Sequence, residues 1–293
     1  GRFNHYLFDM NRDWFALTQP ETRGRVKIYQ EWYPQVMADL HEMGGNSSYY
    51  FAPPAIPHNP EITKEQLEWL TRLGQNHAKW FDKMKFDYFT REEFDSFYPG
   101  YGEGWPMFQG TIGMTYEQGS VRGLVLDRSD ETTMSYQDTV QHQFIASLST
   151  LEAAAANRQV LVRNFYNYRR NAAEGKFTRE VKEIILSESP DPARTVKLVN
   201  ALEAEGIKVL RATSAFSNPK ARDYHTPEFS ETEFPAGSYI VPLNQPAGHL
   251  AATLLMRHTP QGEDFIEIQR QRKEKGLRDE FYDLTGWSFP LLY

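Results

Sequence analysis

Three short segments of the sequence carry side chains that could ligate a metal, move a proton or bind a carboxylate. His41 follows an apolar run and precedes two glycines, so a neutral ring nitrogen could face a cleft and ligate a metal ion. Glu117 ends a second apolar run and could act as a general base. Asn11 and Arg12 place an amide beside a guanidinium, which suits bidentate binding of a carboxylate.

Each of these residues also has a plain structural explanation. His41 could be hydrogen-bonded to the backbone, Glu117 could lie in an ion pair, and Arg12 could form a surface salt bridge. Asp39 lies two residues before His41, so both point to the same face of a strand and Asp39 could orient the ring. Position alone therefore leaves structural and chemical roles open.

The elements that must position these residues are alternating helices and strands. Helical spacing of apolar residues predicts a helix that leads into a strand over 25–40, and a second helix over 63–85. Thr63, with Gln66 three residues later, is typical of a capping box. Residues 136–173 contain helix formers and few breakers, which indicates one long helix or two abutting ones.

The pattern changes near residue 175, where we expect a boundary between two domains, 1–175 and 176–293. The second part is predicted to contain a βαβ unit, with a helix that starts at Asp191 and stops at Gly206. We expect a polar loop over 216–234, followed by a strand and a short helix. The fold class is therefore α/β, with a mixed sheet and flanking helices followed by a smaller α/β domain.

The composition excludes several kinds of site. The chain has no cysteine, which rules out disulfides, thiol nucleophiles and cysteine-ligated metals. It has 32 Lys and Arg against 39 Asp and Glu, and this net charge of −7 argues against sequence-independent binding of nucleic acid. No apolar run approaches the about 20 residues of a membrane-spanning helix. We therefore expect neither a nucleic-acid partner nor a membrane span.

Four motifs over residues 1 to about 170 resemble, in order, the carboxy-terminal part of a zinc carboxypeptidase domain of the carboxypeptidase A-like metallopeptidases. The motifs are Phe8-Asp9-Met10-Asn11-Arg12-Asp13, Gln19-Pro20-Glu21-Thr22, Ala38-Asp39-Leu40-His41 and Gly113-Met114-Thr115-Tyr116-Glu117. Asp13 stands where many members of the family have Asn. Residues 176–293 resemble, more loosely, the region that follows the peptidase domain in large bacterial members.

The resemblance implies a role for each candidate residue. His41 would be a zinc ligand with Asp39 behind it, and Glu117 would be the general base that activates a zinc-bound water. Asn11 and Arg12 would hold the terminal carboxylate of a peptide or protein substrate.

In this family, a tyrosine on a mobile loop before the glutamate covers the substrate. Tyr98 is the first candidate for this role and Tyr101 the second. Both lie in the loop 98–106, whose glycines provide the flexibility that a lid needs.

The resemblance also implies residues that this chain lacks. In the family, a His-x-x-Glu motif upstream of the Asn-Arg motif supplies two zinc ligands, and an upstream arginine stabilises the oxyanion. Only ten residues precede Asn11. We therefore expect a fragment of a longer metallocarboxypeptidase, in which the parent protein is active and this chain binds zinc weakly or not at all. The apolar character of both chain ends favours the same interpretation, and the family resemblance implies a periplasmic or secreted location.

Two other functions remain open. A non-catalytic relative could bind peptides or glycans through Arg12 and the aromatic loop. A glycoside hydrolase could use Asp39 and Glu117 as its carboxylate pair, with the carboxyl groups about 5–9.5 Å apart and no metal. An intact upstream His-x-x-Glu motif would favour the peptidase.

Overall fold

The computed structural model describes residues 2–177, 181–187, 191–223, 226, 228–278 and 280. Within these ranges the helices and strands follow each other in this order: α1 (Pro20–Trp32), β1 (Val36–Met43), β2 (Tyr49–Tyr50), β3 (Ala55–His58), α2 (Lys64–Met84), β4 (Tyr88–Phe89), β5 (Asp95–Ser96), α3 (Gly104–Met107), β6 (Ile112–Gly119), β7 (Val125–Asp127), β8 (Thr133–Ser135), α4 (Tyr136–Ala173), β9 (Glu183–Leu186), α5 (Pro192–Ala204), β10 (Leu210–Arg211), β11 (Phe216–Ala221), β12 (Ser230–Phe234), β13 (Tyr239–Pro242), α6 (Gly248–Leu255) and α7 (Glu263–Glu274). The molecule is a mixed α/β protein with several sheets, as the sequence predicted.

A mixed four-stranded sheet with the order β1-β6-β2-β4 lies in the first part of the chain. β1 and β6 run parallel and pair from Val36 opposite Ile112 to Met43 opposite Gly119. β2 runs antiparallel to β6 and parallel to β4. β6 is buried almost throughout, whereas β1 lies at the edge and is partly exposed. The carboxyl ends of β1 and β6 therefore meet at one end of the sheet, where parallel strands commonly carry functional groups.

Three helices, α2, α3 and α4, pack against β6. α2 begins with the predicted capping box, in which Thr63 and Gln66 each accept a backbone hydrogen bond from the other. α4 is one continuous helix of 38 residues, and a second capping box of Ser135 and Asp138 starts it. These helices cover β6, which explains why the strand is buried almost throughout.

A second, smaller sheet with the order β10-β13-β9 lies in the described residues after 180. β13 is antiparallel to both neighbours, so β9 and β10 run parallel with β13 between them. The expected βαβ unit is therefore present, with an inserted strand. The expectation of a polar loop over 216–234 is wrong, because β11 and β12 form a hairpin there. Phe216 and Phe234 stack across it at 5.3 Å, a cross-strand pair that stabilises otherwise polar strands.

The two parts of the chain meet at the end of α5, in a contact that we call the junction. It comprises hydrogen bonds from Trp105 Nε1 to Glu205 Oε2, from Gln109 Nε2 to the backbone oxygen of Glu205, and from Gln30 Nε2 to the backbone oxygen of Ala204, each 3.0 Å long. Buried apolar side chains of both parts belong to one hydrophobic cluster. The domain boundary near residue 175 stays a prediction. Within the ranges given above, no helix is long and apolar enough to cross a membrane.

Candidate functional site

His41 and Glu117 lie directly opposite each other, near the carboxyl ends of β1 and β6. The imidazole of His41 is 18% exposed, and Glu117 is 9% exposed. Pairing of the two parallel strands brings these residues together although 76 positions separate them in the sequence. We call these residues and the polar side chains around them the polar cluster, which comprises Asn11, Arg12, Asp39, His41, Glu103 and Glu117.

Asp39 holds the ring of His41. Its Oδ2 lies 2.8 Å from His41 Nε2, consistent with two residues on the same face of a strand. This hydrogen bond raises the pKa of His41. Burial opposes that effect, and the charges of Asp39, Glu117 and Glu103 add to it. With Nε2 protonated towards Asp39, Nδ1 is the ring atom that could ligate a metal.

Asn11 joins the pair from a separate segment. Its Nδ2 lies 3.2 Å from His41 Nε2, and its Oδ1 accepts a 2.6 Å hydrogen bond from the backbone N–H of Gly102. A Cβ at Gly102 would lie 2.3 Å from Asp39 Oδ2. Glycine therefore lets the backbone approach closely enough to fix Asn11 beside the histidine.

Arg12 is partly exposed next to Asn11. Its guanidinium carbon lies 4.7 Å from the ring centre of Tyr101, and its Nη1 donates a 2.8 Å hydrogen bond to the backbone oxygen of Asn11. The following residue, Asp13, is buried and accepts hydrogen bonds from the backbone N–H and the hydroxyl of Thr18. Asp13 therefore fixes the turn that carries Asn11 and Arg12. This aspartate, which stands where many members of the resembled family have Asn, thus has a structural role.

The loop 98–106, which we expect to have the flexibility of a lid, is buried in the structure. Tyr98 and Tyr101 are 3% and 5% exposed. Their rings pack edge-on at 4.9 Å, and the Tyr98 hydroxyl donates a 3.2 Å hydrogen bond to the backbone oxygen of Arg12. The glycines of this segment allow close packing of aromatic rings against backbone. Both tyrosines support Arg12, and their role in substrate binding stays a prediction.

The two glutamates of the polar cluster are shifted towards their protonated forms. Burial raises the pKa of Glu117 to about 7, while His41 lowers it and Asp39 raises it. Burial, and next the charge of Asp39, raise the pKa of Glu103 to about 8. Within the described part of the chain, Oε2 of each glutamate is buried and takes part in no hydrogen bond. A carboxyl group of this kind can accept and release a proton near neutral pH.

Glu103 is the member of the cluster that sequence reasoning missed. It lies in the aromatic loop between Gly102 and Gly104, and an isolated acid in an otherwise uncharged segment was the only signal available. A Cβ at Gly113 would lie 2.0 Å from the backbone oxygen of Glu103. The loop thus packs directly on β6, and this contact carries Glu103 into the cluster.

The cluster offers zinc one histidine ligand. Among the residues that the structure describes, no group of three or more His, Asp and Glu side chains is arranged to hold a metal ion. A catalytic zinc site has three protein ligands. His41 could be one of these three ligands, because Asp39 contacts its Nε2 and orients the ring. These residues by themselves do not fit a complete zinc site.

Comparison of the chain with protein-family models, with curated proteins and with solved structures gave no match.

Proposed function

We propose that this chain forms one side of a zinc carboxypeptidase site, which binds the carboxy-terminal end of a peptide and provides the general base. One observation carries the proposal. Asn11, His41 and Glu117 come from three motifs that lie 30 and 76 positions apart, and they lie together in the polar cluster. Residues chosen separately for metal binding, proton transfer and carboxylate binding are thus neighbours.

Arg12 would bind the terminal carboxylate of the substrate. Arg12 is partly exposed, and its guanidinium is oriented by the Tyr101 ring and by the backbone of Asn11. A planar guanidinium held in this way can form two parallel hydrogen bonds to a carboxylate. Recognition of a free carboxy-terminus would restrict cleavage to the last peptide bond.

Glu117 would move the proton of the reaction. Its carboxylate would accept a proton from the attacking water and return it to the leaving amine. Asp39 would keep the His41 ring in place throughout. Zinc, when bound in a complete site, would polarise the scissile carbonyl and acidify the water. The proposal requires two further zinc ligands in addition to His41, and we assign them to protein outside the described residues.

Binding of labelled peptides to this chain tests the carboxylate site. A peptide with a free carboxy-terminus should bind more tightly than the same peptide amidated at that end. Arg12→Ala should weaken binding of the free peptide at least tenfold, because a hydrogen bond between charged groups contributes about 1.5–3 kcal/mol. Arg72→Ala is the matched control, since Arg72 also lies over an aromatic ring, at 5.0 Å from the centre of Trp69. Equal binding of both peptides would contradict the assignment.

Mass spectrometry of peptide cleavage by the full-length protein with zinc tests the general base. We expect Glu117→Gln to lower turnover about 10²–10⁴-fold, the contribution typical of general acid–base catalysis, without loss of folding. Glu68→Gln, at an exposed position on α2, should leave turnover unchanged. Peptide binding without cleavage by the unsubstituted protein would favour the non-catalytic alternative. Near-normal turnover of Glu117→Gln would refute the role of Glu117.

A further inference from the structure

The long helix α4 exposes an apolar face that faces away from the rest of the chain. Opposite this face, Ile145, Ala146 and Ser149 are buried against the molecule. The exposed face, which we call the α4 stripe, consists of Tyr136, Val140, Phe144, Leu148, Leu151, Val162 and Tyr166. Phe144 is 59% exposed and Leu151 is 66% exposed. A helix that is apolar on two opposite sides normally packs against a partner on both of them.

We propose that a second copy of this chain covers the α4 stripe, with the two α4 helices antiparallel about a two-fold axis at Leu151. This proposal is independent of the proposed function. Its first support is the symmetry of the sequence around Leu151. The positions 3, 7, 11 and 15 residues before it are Leu148, Phe144, Val140 and Tyr136, and those at the same distances after it are Ala154, Arg158, Val162 and Tyr166.

A two-fold axis at Leu151 would therefore place complementary side chains against each other. Tyr136 would meet Tyr166 of the other copy, and Val140 would meet Val162. The ring of Phe144 would meet the guanidinium of Arg158, a favourable cation–π pair. The large Leu148 would face the small, partly buried Ala154, which also packs against the core of its own copy and lets the two helices approach to about 8–10 Å. Such an interface uses the same surface on both copies, as two-fold symmetry requires.

The charges at the two ends of the stripe support the antiparallel arrangement. Between residues 139 and 157 the stripe has no charged member, and Glu152 lies to one side of it, bonded to Trp80. The exposed acid Glu131 lies just before the start of α4, and the exposed Arg163 lies towards its end. An antiparallel pair would bring the acidic end of each copy towards the basic end of the other, and would also oppose the helix dipoles.

The stripe presents large apolar side chains along most of α4, as a dimer interface does. Each of its seven side chains is at least 37% exposed, and Leu124 and Val125 extend the patch where the backbone oxygen of Leu124 accepts a hydrogen bond from Tyr136. A standard interface buries about 800 Å² per partner. Monomers rarely expose an apolar patch above about 600 Å².

Sedimentation equilibrium of the 293-residue chain at micromolar concentration tests the dimer. We expect twice the chain mass of 34.0 kDa. Leu151→Glu would put two carboxylates at the two-fold axis and should weaken dimerisation at least tenfold. Ile28→Glu is the matched control, since Ile28 is 60% exposed on α1 and should leave the dimer intact. A mass of 34.0 kDa for the unsubstituted chain would overturn the proposal.

Cysteine cross-linking tests the axis without disturbing the fold. The chain has no cysteine, so any disulfide arises from an introduced residue. Leu151→Cys should form a disulfide-linked dimer at least tenfold faster than Ile28→Cys, because residues on the two-fold axis approach within bonding distance. Equal rates would overturn the assigned axis.

A charge exchange tests the register. Phe144→Arg would face Arg158 of the other copy and should weaken the dimer, whereas adding Arg158→Phe should restore it. Failure of the double variant to recover would refute the antiparallel register.

Discussion

The polar cluster and the junction are both contacted by the same buried segment, yet they use buried carboxyl groups differently. Glu103 enters the cluster, and Trp105, two residues later, donates to Glu205 at the junction. Burial is the main cause of a raised pKa in both glutamates. The carboxyl group of Glu103 is shifted by two titratable neighbours, Asp39 and His41, whereas Asp13 is the charged neighbour that acts on Glu205.

This difference separates a candidate site from a structural contact. The carboxyl group of Glu205 is enclosed by packing beside an indole, and its pKa is raised by burial and, to a smaller extent, by the charge of Asp13. Several titratable groups that shift one another, next to a partly exposed arginine, are typical of functional sites. The junction would then act as support for the loop that forms one wall of the cluster. Substitutions at the junction and in the core behind the polar cluster can test whether the junction has only a structural role.

The largest expected effect is at the junction. Trp105 is completely buried and packs against Tyr29, with ring centres 5.0 Å apart, and against Trp14, at 5.9 Å. We expect Trp105→Ala to lower the free energy of unfolding by about 3–5 kcal/mol, because it leaves a large cavity and an unpaired Glu205. Urea denaturation measures this change. Trp32→Ala is the control, since Trp32 is 79% exposed and its removal should change stability little.

A loss below about 1 kcal/mol in Trp105→Ala would contradict the view that the junction supports the loop.

A second test concerns His77, which is buried on the face of β6 opposite to Glu117. Both of its ring nitrogens have hydrogen-bond partners. Its ring nitrogens contact the backbone oxygen of Leu73 and the hydroxyl of Tyr116. Burial lowers the pKa of His77 to about 4. The unfolded chain, with an ordinary histidine pKa near 6.5, binds more protons between these values, so stability falls as pH falls through this window. The contribution of His77 should be at most about 3 kcal/mol between pH 7 and pH 4.

Urea midpoints at several pH values measure this dependence. Glutamine cannot take up a proton, so His77→Gln should reduce the fall in the free energy of unfolding between pH 7 and pH 4. An unchanged slope would show that other groups cause the acid sensitivity.

A third test again concerns the junction. Burial raises the pKa of Glu205 well above its usual range, so the folded chain keeps a proton that the unfolded chain releases, and stability falls as pH rises. Glu205→Gln keeps an oxygen that can accept from Trp105 and removes this titration. We expect the variant to be more stable than the unsubstituted chain at pH 8 and equally stable at pH 4. Thermal unfolding at both pH values measures the difference, and a destabilised variant at pH 8 would contradict a neutral Glu205.

Local sequence signals predicted much of the fold because they act over a few residues. The Thr63 capping box, the long helix over 136–173 and the helix stop at Gly206 each depend on neighbouring positions. The hairpin at 216–234 was missed because its strands are largely polar and its aromatic pair forms only after the strands meet. The aromatic loop 98–106 was misread for a related reason, since its glycines fit both a flexible loop and a tightly packed one.

By itself, the sequence determined the residue types of the candidate site and the strands that carry His41 and Glu117. It also contained the symmetric pattern along α4. Only the tertiary structure decided that β1 and β6 pair in register, that Asn11 reaches His41, and that Glu103 joins them. The physical reason is that strand pairing and burial depend on residues distant in sequence. The same burial shifts the pKa of Glu117 and Glu103, which no local pattern can encode.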